Sequence, residues 1–200
     1  MKIIGVVGGS GAGKSQFCAA LEKAGIPSLN TDITAREAVQ KGSPCLAELV
    51  GVFGERILCP DGSLARKALA NLAFPDRNLH EKLNEITHRY ICVMVKQWLY
   101  ETQKKGYAAA IVDAPLLFES GLDAICDVKV CVIAPEKDRI KRICQRDGID
   151  EVTAEKRIFS QKSDEELIRL CDITVVNDKG IAALEKKAAM FAKDVISQGY

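Results

Sequence analysis

Lys14 and Ser15 close an eight-residue run, Gly8-Gly9-Ser10-Gly11-Ala12-Gly13-Lys14-Ser15, in which half the residues are glycine. The spacing Gly8-x-x-x-x-Gly13-Lys14-Ser15 is that of a phosphate-binding loop. Glycine is needed there because successive backbone N–H groups must turn towards an anion, and side chains would block the approach. A loop of this kind delivers the anion to a helix N-terminus, where unpaired N–H groups and the helix dipole favour negative charge. The spacing directs Lys14 to the outer phosphates of a nucleotide and the Ser15 hydroxyl to Mg²⁺.

Such a loop leaves three classes open: a switch GTPase, a motor-type ATPase and a small-molecule kinase. No aspartate is followed by glycine three residues on, and Asn177-Asp178-Lys179 does not match a guanine-recognition motif, which argues against the GTPase. Motors generally need a longer chain. A kinase needs a carboxylate near its acceptor hydroxyl. Asp32 follows the second expected strand and is either that group or the N-cap of the next helix. Asp113 ends a strand; it acts through the water shell of Mg²⁺ or is a turn carboxylate. Arg139, Arg142 and Arg146 lie at i, i+3 and i+7, a stripe that either closes over phosphates or is a solvated helix face. His88 falls on the polar side of a long helix, where a surface or packing role is the plain reading.

The elements that must carry these residues follow from periodicity. Residues 3–7, 109–113 and 128–134 are short apolar runs that suit parallel strands covered on both faces. Residues 28–30 and 173–176 are weaker strands. Helices are expected at 14–24, 33–40, 44–53, 63–73, 76–103, 136–147, 151–169 and 180–198. This alternation predicts an α/β fold: a parallel P-loop NTPase-type sheet flanked by helices. A single domain is expected, with a core (about 1–31, 106–135 and 170–200), an inserted helical substrate lobe (about 32–105) and a helical lid (about 136–169).

Bulk composition narrows the setting. A formal net charge of +1 lacks the basic excess of a nucleic-acid binder. No apolar stretch approaches the ~20 residues of a membrane span, and Met1-Lys2 leads into a short apolar run unlike a signal peptide. The cysteines show no paired spacing, as expected of reduced, mostly buried thiols. Cys18, early in a helix, could alternatively favour a thiolate. A cytoplasmic monomer is expected.

Taken in order, the motifs resemble the dephospho-CoA kinase family along nearly the whole chain: the loop at 8–15, "TDITAREAV" at 31–39, "FGERILCPDGSLARKALA" at 53–70, "LNEITH" at 83–88, "APLLFESG" at 114–121, "KRICQRDG" at 141–148, "RIFSQ" at 157–161 and "DITVVND" at 172–178. The resemblance implies ATP and Mg²⁺, with dephospho-CoA phosphorylated on its ribose 3′-hydroxyl in the last step of coenzyme A synthesis. It implies that Asp32, Lys14 and Arg142 are catalytic. ATP falls to Gly9, Ser10, Gly11, Ala12, Gly13, Lys14, Ser15 and Gln16, with Arg146 and Asn177. Dephospho-CoA falls to Asp32, Arg36, Arg66, His88, Pro115, Leu116, Glu119, Arg157 and Gln161. The metal falls to Ser15, with Asp113 through water. Four residues depart from the family pattern: Val7 for threonine, Gln16 for threonine, Asn30 for aspartate and Arg89 for proline. The alternatives are another nucleoside or metabolite kinase, or a nucleotide-binding regulatory module without turnover.

Overall fold

A computed structural model describes residues 1–197 and divides the chain into two compact units. The first comprises Met1–Asn30 and the chain from Leu99 onward; the second is Thr31–Trp98. Residues 198–200, which include the end of the last expected helix, lie outside the described residues.

The first unit is built on β1 (Lys2–Val7), β2 (Ser28–Asn30), β3 (Ala109–Asp113), β4 (Val128–Ile133) and β5 (Ile173–Val176), in the order β2-β3-β1-β4-β5. All pairings are parallel. Every residue of β3 is buried, which is why residues 109–112 are a continuous apolar run without alternation, ended by the buried Asp113. The register sets Val6 and Asn30 both opposite Asp113. Parallel strands bring their carboxyl ends to one edge, so the glycine loop, Asn30 and Asp113 share the rim where open α/β sheets bind ligands.

Helices α1 (Lys14–Lys23) and α9 (Ile181–Ser197) pack side by side on this sheet. Phe17 and Leu21 of α1 meet Ile4, Val6, Ile111 and Val130 from the strands and Leu184 and Ala188 from α9. The rings of Phe17 and Phe191 lie 6.0 Å apart. Cys18 is enclosed in the same core, and burial first, then the nearby Asp113 charge, push its thiol far above the usual range. It is a packing residue, not a thiolate.

Between β4 and β5 run α6 (Glu136–Asp147), α7 (Glu151–Phe159) and α8 (Asp164–Leu170). Ile143 packs with Ala154 and Ile158 to join α6 to α7. The expected single helix over 151–169 is therefore two. The break comes from a reciprocal cap: Ser163 Oγ accepts from the Glu166 N–H at 3.2 Å, and Glu166 Oε2 accepts from the Ser163 N–H at 2.8 Å.

The second unit is helical, as the absence of strand-like runs there predicted: α2 (Thr31–Ala38), α3 (Pro44–Phe53), α4 (Arg66–Ala73) and the first part of α5 (Arg77–Lys104). Leu49, Phe53, Ile57, Leu69 and Ile86 form its core. α4 starts three residues later than expected. Residues 58–65 are held instead as a turn, by a Leu58–Leu64 bridge and by Asp61 accepting from both the N–H and the hydroxyl of Ser63. α5 continues unbroken through Arg89, where the family's usual proline would interrupt it. Arg89 pairs with Glu48 of α3.

The enclosed aromatic of α1 sets a stability expectation. Phe17→Ala should cost about 3–5 kcal/mol through lost burial and the cavity left behind, read as a lower urea midpoint with an unchanged slope. A midpoint equal to that of the parent chain would contradict this packing.

Candidate functional site

Residues 8–13 leave β1 and enter α1, and three neighbouring side chains fix their path. The carbonyl of Ser10 accepts from Arg139 Nε at 2.9 Å, that of Gly11 from Arg142 Nη1 at 3.0 Å, and that of Ala12 from Asn177 Nδ2 at 2.8 Å. α6 contributes both arginines, and Asn177 follows β5. Successive carbonyls held by protein donors let the intervening chain form an N–H-lined concavity. Gly13, in the left-handed region at φ 102°, then starts α1 with no side-chain cap, so the helix end stays open to an anion.

The glycines have a second reason that spacing alone did not reveal. A Cβ on Gly9 would sit 2.2 Å from Arg139 Nη2, and one on Gly13 would sit 2.3 Å from Asn177 Nδ2. The anchoring side chains occupy the room that side chains on the loop would need. Two expected phosphate donors are also committed inside the protein: the Ser10 N–H donates to Gln161 Oε1 at 2.8 Å, and the Ala12 N–H donates to the Gly9 carbonyl at 3.1 Å.

Beneath the loop, the Lys14 ammonium is paired with the Asp113 carboxylate, and both side chains are largely enclosed. The other Asp113 oxygen accepts from Asn30 Nδ2 at 2.8 Å. Asn30 thus takes part in the site through its departure from the family pattern. An amide donates to Asp113 where an aspartate would set a second carboxylate beside it. Ser15 and Gln16 are exposed in the first turn of α1. Mg²⁺ prefers oxygen ligands and keeps several waters. The Ser15 hydroxyl and the Asp113 carboxylate are donors of that kind, so these residues fit the metal.

Beside the loop lies a cavity of about 270 Å³ lined by Val7, Gly9, Pro115, Leu116, Phe118 and Glu119, with Gln161 and Lys162 on its other side. Four of the expected substrate residues meet here: Pro115, Leu116, Glu119 and Gln161. Leu116 is 53% exposed at this cavity. Glu119 and Lys162 form an ion pair at 2.9 Å, and that hydrogen bond holds the Lys162 ammonium above its ordinary pKa. Val7, where the family pattern has a hydroxyl, is a buried residue at the edge of this cavity.

The remaining expected residues are not among those lining this cavity. Arg146 and Arg157 both bind Asp147, and chiefly the Arg146 hydrogen bonds hold that carboxyl down at about 2. In the helical unit, Asp32 and Arg36 are exposed one turn apart on α2. Asp32 lies within the first turn and is not the cap of that helix. Arg66 opens α4, and His88 is half-buried on α5. Sequence reasoning placed Arg139 in a stripe and gave it no separate role, and it missed Asp164, which pairs with Arg139 at 2.9 Å.

The family model for dephospho-CoA kinase matches residues 2–183. The dephospho-CoA kinase of Anaeromyxobacter dehalogenans is 36% identical over 195 residues, covering 98% of this chain and 92% of that one. That of Moorella thermoacetica is 40% identical over 181 residues, covering 90% and 84%. Among solved structures, TT1252 from Thermus thermophilus superposes with a TM-score of 0.81 at 27% identity, over 98% of this chain and 97% of that one. With a glycine loop at an open helix end, a parallel sheet that presents it and a family match across most of its length, the chain belongs to the dephospho-CoA kinase family.

Proposed function

We propose that the chain transfers the γ-phosphoryl group of ATP to the ribose 3′-hydroxyl of dephospho-CoA, with Asp32, Lys14 and Arg142 as the catalytic residues. The observation that carries this reading is the loop itself, whose Ser10, Gly11 and Ala12 carbonyls are held by side chains beside an uncapped helix end. In the reaction the 3′-oxygen forms a bond to the γ-phosphorus as the bond to the β,γ-bridging oxygen breaks. The hydroxyl proton goes to a carboxylate, and ADP leaves. Asp32 is the proposed acceptor of that proton. It is exposed, and it lies two residues along the chain from Asn30, the amide that binds Asp113.

Lys14 exchanges Asp113 for the outer phosphates. Arg142 uses one of its five N–H donors on Gly11 and directs others to the transferring group. Its guanidinium rests on the loop at the Gly11 carbonyl. Ser15, with Asp113 through water, is the proposed Mg²⁺ site; the metal, when bound, neutralises charge on the phosphates. Gly9, Gly11, Gly13 and Gln16 line the nucleotide; Arg146 serves it from α6, and Asn177 acts through the Ala12 carbonyl. The cavity beside the loop receives dephospho-CoA at Pro115, Leu116, Glu119 and Gln161, and Arg36, Arg66, His88 and Arg157 are its further proposed contacts.

The proposed setting is the cytoplasm, with the monomer as the working unit. No helix among the described residues is long and apolar enough to cross a membrane, and the cysteines are free thiols. Free thiols suit a reducing compartment.

Three measurements test this reading. In a panel of hydroxyl acceptors followed by ADP release, dephospho-CoA should give the fastest turnover; release no greater than with buffer would reject the substrate. Asp32→Asn should keep ATP affinity and lower kcat by about 10²-fold or more, the usual contribution of a positioned general base. An unchanged kcat would remove Asp32 from the chemistry. Arg142→Ala should lower kcat at least roughly tenfold, since arginines on a transferring phosphoryl group carry large effects. An effect confined to melting temperature would make it a structural anchor only.

A further inference from the structure

We infer that Arg139 is a positioning residue for phosphoryl transfer, acting on the nucleotide through the Ser10 carbonyl; this rests on the loop being the ATP site. Three features distinguish Arg139 from the other arginines of its helix. It is 4% exposed, and its Nε and Nη1 have separate tasks: Nε donates to Ser10 at 2.9 Å and Nη1 to Asp164 Oδ1 at 2.9 Å. Nη2 is buried against Gly9 with no hydrogen-bond partner. Its own backbone also touches the loop, since a Cβ on Gly11 would lie 2.7 Å from the Arg139 carbonyl oxygen.

Ser10 is therefore held from two sides. Arg139 takes its carbonyl, while Gln161 takes its N–H at 2.8 Å and donates to its hydroxyl at 3.0 Å. Both peptide planes flanking Ser10 are fixed, and with them the direction in which the next N–H groups point. Asp164 and Gln161 both come from the segment around the α7–α8 break, so that segment orients the groups that hold the loop.

A purely structural role accounts poorly for this arrangement. A buried ion pair is weak as a source of stability, because desolvation offsets much of the attraction. Leaving one guanidinium nitrogen unpartnered adds to that cost. What the planar fork does supply is two donors at a fixed angle, one locked on Asp164 and the other presented to Ser10.

The test separates stability from positioning. Arg139→Met combined with Asp164→Leu replaces the pair by apolar groups of similar volume, a change that is often neutral or stabilising. We expect melting within a few degrees of the parent chain. We also expect a Kd for a non-hydrolysable Mg·ATP analogue raised about tenfold, faster hydrogen exchange at residues 10–12, and KM for ATP raised more than KM for dephospho-CoA. Arg139→Gln alone, with binding measured per folded molecule, should weaken the same affinity and covers the case in which the double variant does not fold. Parent-like affinity in either folded variant overturns the inference and leaves the ATP reading standing. Failure of the parent chain to bind the analogue overturns both.

Discussion

The conformation of the phosphate loop depends on where its carbonyl oxygens go. A run as rich in glycine as residues 8–13 has many accessible backbone states, and ordering it is entropically expensive. Arg139, Arg142 and Asn177 limit those states by taking one carbonyl each. The three anchors come from different parts of the first unit, two from α6 and one from the end of β5. The loop is thus shaped by α6 and by the residue after β5, chain segments more than a hundred residues away in sequence, together with its own glycines.

This long-range dependence explains what could and could not be read from sequence. The strands β1, β3 and β4 were legible because a parallel sheet buried on both faces requires continuous apolar runs, and glycine-bounded runs of that kind are hard to mistake. The loop was legible because its spacing is rare. The anchors were not. Arg139, Arg142 and Arg146 share a helix face by periodicity, but periodicity gives direction and not depth. Seven residues separate the first from the last, about 10 Å along the axis. That distance takes the stripe from a buried clasp on Ser10 to an exposed pairing with Asp147. The break between α7 and α8 is legible in principle, since Ser163 and Glu166 stand at capping-box spacing, but the charged pattern that continues across it masks the signal.

Departures from the family pattern acquire different weights once placed. Arg89 lets α5 run on and pairs with Glu48, a local matter of the helical unit. Asn30 changes the electrostatics directly under the loop. Val7 places an aliphatic residue at the cavity beside the loop where the family pattern has a hydroxyl.

The pairing of Lys14 with Asp113 bears on which anions can occupy the loop at all. Inorganic phosphate, sulfate and carboxylic acids surround any metabolic enzyme, and an open lysine among N–H groups would hold them with little discrimination. Here a resident carboxylate already answers that charge. In the proposed reaction an incoming nucleotide replaces it, and in doing so takes the ammonium away from a buried carboxylate that also accepts from the Asn30 amide. A lone anion offers nothing to the group it displaces. A polyphosphate that arrives with its own cation offers both signs together. On the proposed ATP reading, the Lys14–Asp113 pair sets a threshold that a metal-bound nucleotide is better equipped to cross than a lone anion.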